Sequence, residues 1–175
     1  MTKLVTALAV CHEEVTDDEG IILGVCDRPD VIARRLDPED GHTYPVCPEH
    51  AVGPLRIQQR RTKDWRKPEA AVAVGRGGRW GNPYRIIAVR PSGPFDVVRD
   101  AGIFIAQTTS VEAARDIAVQ RYRRAIESGF ETFPRPDTIH TALAGKTLMC
   151  WCPLTGPCHA DVLLEYANAH DDEGR

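Results

Sequence analysis

Several things this 175-residue chain lacks narrow its class before any motif is read. No apolar run approaches the roughly 18 to 20 residues of a membrane-spanning helix, so no membrane role is expected. Aromatics are scarce, with four Phe, four Tyr and three Trp, and the core must be built chiefly from Val, Ile, Leu and Ala. Charge of one sign is missing too: a net charge of -3 argues against a uniformly basic chain that coats nucleic acid indiscriminately. Neither the dinucleotide-binding glycine fingerprint nor a P-loop is present, because the glycine spacing fails and no Lys-Ser/Thr pair closes the loop. Cysteine is absent from the middle of the chain. Three lie near the start (Cys11, Cys26, Cys47) and three near the end (Cys150, Cys152, Cys158).

What is present is globular in balance, 42% hydrophobic and 27% charged, in a length that suits one ordinary domain with a small accessory module. The charge is segregated. Residues 1–50 carry 11 acidic and 4 basic side chains, residues 51–85 carry 2 and 9, and residues 86–175 carry 12 and 9. A basic stretch between acidic neighbours either steers an anionic ligand or is a solvated surface. Leu4 to Val10, ahead of Cys11, is too short for a good signal segment, and bulky Val10 stands where a small residue is preferred before cleavage. The expected address is the cytoplasm, where six cysteines read as metal ligands, reactive thiols or buried residues rather than a disulfide framework.

Turn residues divide the first fifty positions into short strands at Leu4–Val10, Ile21–Cys26, Val31–Leu36 and Thr43–Cys47, a small β module that needs metal or docking to be stable. Arg56 to Pro68 is basic and partly extended. Ala70–Val74 reads as a strand running into a glycine-rich loop, and Tyr84–Val89 and Phe95–Val98 as strands around Pro91 to Pro94. Thr109–Ser128 is the clearest helix, with Thr109 as cap, Glu112 completing a capping box, and Ala114, Ile117, Ala118, Tyr122, Ala125 and Ile126 on one face. A shorter helix is expected over Asp137–Ala144, a buried strand over Thr147–Trp151 and a closing helix over Ala160–Ala169, followed by an acidic tail, 171–175.

Three constellations carry chemistry. Cys47-Pro48-Glu49-His50 has zinc-knuckle spacing; Cys26 across the predicted hairpin, with Cys11 or His12, completes a structural zinc set unless these are ordinary buried thiols. Gly75-Arg76-Gly77-Gly78-Arg79-Trp80-Gly81-Asn82 lets backbone N–H groups approach an anion, with Arg76 and Arg79 for phosphate, Trp80 for stacking and Asn82 for a polar edge. The competing reading is a tight turn with Trp80 plugged into the core. The third runs from Cys150-Trp151-Cys152 to Cys158-His159-Ala160-Asp161, placing thiols between a strand end and a helix start, where α/β folds keep ligands. Either Cys152, Cys158 and His159 hold a second metal, with Cys150 as a further ligand, or His159 and Asp161 act as acid/base groups beside a reactive Cys152. Buried structural thiols, with Asp161 as a helix cap, are the plain alternative.

The stretch from about Arg56 to Asn168, with Arg60-Arg61, GRGGRWGNP, the helix bearing Tyr122, GKTLMCWC and CHADVLLEYAN, resembles domain-of-unknown-function family 4326. The resemblance implies occurrence in bacteriophage and bacterial genomes and a shared pattern at Gly75, Arg76, Trp80, Gly81, Asn82, Pro83, Cys150, Trp151, Cys152, Cys158, His159 and Asp161, without saying which catalyse. The expected architecture is an α/β domain over residues 54–170, with a mixed or parallel sheet and flanking helices, preceded by a zinc-ribbon-like β module over residues 1–53. The expected function is binding of a nucleotide or phosphorylated nucleoside, with hydrolysis or group transfer if chemistry occurs. The alternatives are a nucleic-acid-binding accessory protein, or a non-catalytic phage or mobile-element protein that sequesters a host nucleotide or binds a host protein.

Overall fold

The computed structural model describes residues 10–16, 22–37, 39 and 41–169. All of the strand expected over Leu4–Val10 except Val10, and the acidic tail from Asp171, lie outside them. The first segments follow the turn signals: β1 (Glu14–Thr16) and β2 (Ile22–Val25) pair antiparallel, and β3 (Ala33–Leu36) and β4 (Thr43–Val46) form a second antiparallel pair. The chain then lays down β5 (Leu55–Gln58), β6 (Val72–Ala73), β7 (Arg85–Ala88), β8 (Phe95–Arg99) and β9 (Ile103–Thr108). The remaining elements are α1 (Val111–Glu127), α2 (Pro136–Leu143), β10 (Leu148–Cys150) and α3 (His159–Asn168).

Five strands make one mixed sheet in the order β4-β3-β5-β10-β6; β10 runs parallel to β5 and β6, and β3 antiparallel to β4 and β5. Leu148, Met149 and Cys150 are all buried, as a strand covered on both faces requires. The class is therefore α/β with a mixed sheet. The sheet runs through residue 53, because β3 hydrogen-bonds directly to β5. A separate antiparallel sheet, β7-β8-β9, packs against α1 through Val97, Ala114 and Ala118.

The helix α1 buries Ala114, Ala118, Tyr122, Ala125 and Ile126, residues of the apolar stripe read from the sequence. Its cap differs from expectation. Ser110, not Thr109, accepts the Ala113 N–H at 3.0 Å, which puts Glu112 one position too early for a capping box. Pro136 opens α2, where its missing N–H has no helical partner to lose. The main core joins Tyr122, Ile139, Leu143, Leu148, Leu163 and Leu164 beneath the carboxyl end of β10.

Candidate functional site

Two clusters, each of three thiols and one imidazole, are able to hold a metal ion. In each, the ligand atoms lie within 4.8 Å of one another. The N-terminal cluster gathers Cys11 before β1, Cys26 after β2, Cys47 after β4 and His50 at the end of a single 3-10 turn. Cys11 and Cys47 each place Sγ 3.4 Å from His50 Nδ1. A tetrahedral ion with bonds of ~2.0 to 2.3 Å has ligand-to-ligand edges of about 3.3 to 3.8 Å, so the spacing fits. Of the two residues expected to compete for the fourth position, Cys11 takes it; His12 is exposed. Backbone bonds from Cys11 N–H to Arg28 O and from Cys26 N–H to Glu13 O hold the two strand ends together.

The second cluster is Cys150, Cys152, Cys158 and His159. Cys150 ends β10, Cys152 follows one turn residue later, Cys158 caps α3 and His159 begins it. Cys150 and Cys152 place their sulfurs 3.6 Å apart. His159 is buried edge-on against Tyr122, with Nε2 2.6 Å from the Val74 carbonyl. That contact puts the proton on Nε2 and leaves the Nδ1 lone pair facing Cys158 Sγ, 3.9 Å away. The Ala160 N–H also points at Cys158 Sγ, at 3.4 Å. Hydrogen bonds from Cys150 and Cys152 hold the Cys158 thiol well below its usual range despite burial. Its hydrogen bonds with Cys150 and Cys158, together with burial, push the Cys152 thiol up.

Behind this cluster stands Arg56, 1% exposed, a residue read from the sequence only as the start of a basic stretch. Its guanidinium donates to the carbonyls of Pro153, Leu154 and Gly156 at 3.0 to 3.2 Å and pairs with Asp161 at 3.2 Å. Asp161 also accepts from the Thr43 hydroxyl at 2.9 Å, and Arg34 reaches both the Thr43 and Leu154 carbonyls. The Asp161 carboxylate, considered for acid/base work or as a helix cap, is engaged by Thr43 of β4 and Arg56 of β5 and is not among the residues lining the cleft. His159 lines the cleft, with Nε2 engaged by the Val74 carbonyl and Nδ1 facing the thiols.

A cleft of about 320 Å³ opens above the cysteines, lined by Gly75, Arg76, Tyr84, Arg115, Trp151 and the cluster itself, among others. The glycine loop contributes less than expected. Arg76 lines the cleft, whereas Gly77, Gly78 and Arg79 are exposed outside it. The N–H groups of Gly78 and Gly81 bond to Gly75 O and Gly78 O, so the loop closes on itself instead of presenting those amides as an anion nest. Gly81 is required there: a Cβ would come within 2.9 Å of Gly75 O and of the Arg76 Cα.

Trp80 is no stacking platform. It is buried in the core, with its carbonyl accepting from Tyr122 Oη at 2.9 Å and Arg79 over its ring. Asn82 touches the cleft, but its amide donates to Ala118 O at 3.1 Å and accepts from Tyr84 N at 2.8 Å. The exposed aromatic at the cleft is Trp151, with Arg61 4.9 Å from its ring centre and Gly75 bare against its edge. Cys-Trp-Cys marked the indole as distinctive, but β10 ends at Cys150 and the chain bends there, so Trp151 and the cysteines line one cleft. Arg115 carried no signal, as a basic residue on an exposed-looking helix face.

Fold and site together define a mixed-sheet α/β domain whose cleft is floored by a Cys3His cluster. The family model described as Domain of unknown function (DUF4326) matches residues 57–169, and the chain belongs to that family. The match spans the cleft and the C-terminal cluster, and the N-terminal cluster lies before it. No curated protein and no solved structure matches the chain. Among the described residues no helix is long and apolar enough to cross a membrane.

Proposed function

We propose that the chain is a zinc-stabilised binding domain that takes a nucleotide or phosphorylated nucleoside in the cleft above the C-terminal cysteines. The observation that carries this reading is the presence, in one cavity, of two arginines and a partly exposed indole: Arg76 from the glycine loop and Arg115 from α1 line the same cleft as Trp151. Guanidinium suits phosphate by bidentate, charge-assisted bonds, and the indole offers apolar surface to a base or sugar. The zinc in this reading sits on Cys11, Cys26, Cys47 and His50, where it ties together a module too small to be stable alone. Hydrolysis or group transfer is not part of the reading, which rests on binding alone: Asp161 is held by Arg56 and Thr43, and His159 Nε2 by Val74.

Calorimetric titration with nucleoside mono-, di- and triphosphates tests it. Arg76→Ala and Arg115→Ala each remove a charge-assisted contact of roughly 1.5 to 3 kcal/mol, or about 10- to 150-fold in affinity. Undiminished affinity in both variants would sink the proposal. A second reading is supported by exposed Arg60, Arg61, Lys63, Arg66 and Lys67, which adjoin Trp151 through Arg61 and suit a nucleic-acid backbone. It differs in salt response: affinity for single-stranded DNA or RNA would fall steeply with added salt and survive loss of Arg115.

A further inference from the structure

We infer that Cys150, Cys152, Cys158 and His159 hold a second zinc ion in a closed tetrahedral site that forms the floor of the cleft. This stands on the cluster itself and does not depend on what the cleft binds. Buried cysteines packed as small hydrophobes have no reason to converge on an imidazole lone pair. Here three sulfurs from a strand end, a turn and a helix cap meet one buried ring nitrogen, each ligand atom within 4.8 Å of the others. Three thiolates and one imidazole in a tetrahedral arrangement are a zinc donor set.

The surroundings are those of a metal site as well. A ligating histidine usually donates its other N–H to a carbonyl or carboxylate, and His159 Nε2 does so to Val74 O at 2.6 Å. Three thiolates around a divalent ion carry one net negative charge, which needs donors. The Ala160 N–H at the start of α3 supplies one, at 3.4 Å from Cys158 Sγ. Arg56, paired with Asp161 at 3.2 Å, stands behind the cluster. Its Nε is buried with no hydrogen-bond partner among the described residues. Its other nitrogens hold the loop between the two ligands, at Pro153, Leu154 and Gly156. Arg56 is thus a positioning residue for the site. Four protein ligands leave no open position, so the ion is structural: it clamps the end of β10 to the start of α3 and supplies no Lewis acid to the cleft.

The test is zinc content and zinc-edge X-ray absorption on the full chain purified without added metal, beside thiol titration of the folded protein. Two zinc ions per chain, an average shell of three sulfurs and one nitrogen, and six thiols that react only after chelation and unfolding are expected. Cys47→Ser and Cys152→Ser should each lose one ion, and Cys152→His should retain both, with nitrogen replacing one sulfur. Should a variant fail to fold, the wild-type stoichiometry, edge and thiol protection decide alone. A single zinc that survives Cys152→Ser, or free titration of Cys150, Cys152 and Cys158, identified by mass mapping of the labelled folded wild-type chain, would overturn the inference.

Discussion

Single residues divide here by how local their partners are. The paired ligands were legible because their spacing is short-range: Cys47 and His50 are three residues apart, Cys150 and Cys152 two, and Cys158 and His159 adjacent. Arg56 was not legible, because the carbonyls it holds come from 97 to 100 residues further along the chain. Trp80 and Asn82 were legible as distinctive residues but not in their roles, since only the packed structure shows the indole in the core and the amide engaged at both ends. Their roles are therefore testable as stability. Asn82→Ala leaves the buried Ala118 carbonyl and Tyr84 N–H without their partner and should cost about 1 to 3 kcal/mol in urea unfolding. Arg56→Met leaves Asp161 without its buried cation and should cost roughly 3 to 5 kcal/mol, whereas Asp161→Asn, which keeps a partner for Thr43, should cost less.

Elements were legible where periodicity was strong. The apolar stripe of α1 marked a helix to within two residues at its start, and its cap is the place where reading and structure part by one position. Ser110→Ala should destabilise the chain by about 1 kcal/mol in thermal or urea unfolding, while Thr109→Ala should change little. The strand β5 was masked by composition: Leu-Arg-Ile-Gln reads as polar and basic until Arg56 is seen buried behind the second cluster. The strand β9 pairs only with β8 and leaves Ile103 and Phe104 more than half exposed, so its pattern lacks the clean alternation of a half-buried strand.

Across the whole molecule, the α/β class followed from the alternation of strands and helices over residues 70 to 170, but the seam with the N-terminal module did not. Pairing of β3 with β5 joins segments that look like separate units in composition, and Thr43 and Arg34 carry the module's contacts to Asp161 and Leu154. A chain of residues 54–175 should therefore be markedly less thermostable than the full chain, because β5 loses its antiparallel partner and the start of α3 loses Thr43. The two clusters then act on one sheet, one beside β4 and the other at the end of β10. The measurement that tests the account most directly is nucleotide affinity of the full chain before chelation, after chelation and after zinc is restored, beside the Arg76→Ala/Arg115→Ala double variant. Micromolar or tighter binding that is lost with the metal, recovered with zinc and absent from the double variant is the predicted result; no binding by the zinc-replete chain, or an affinity indifferent to both metal and guanidinium groups, would contradict it.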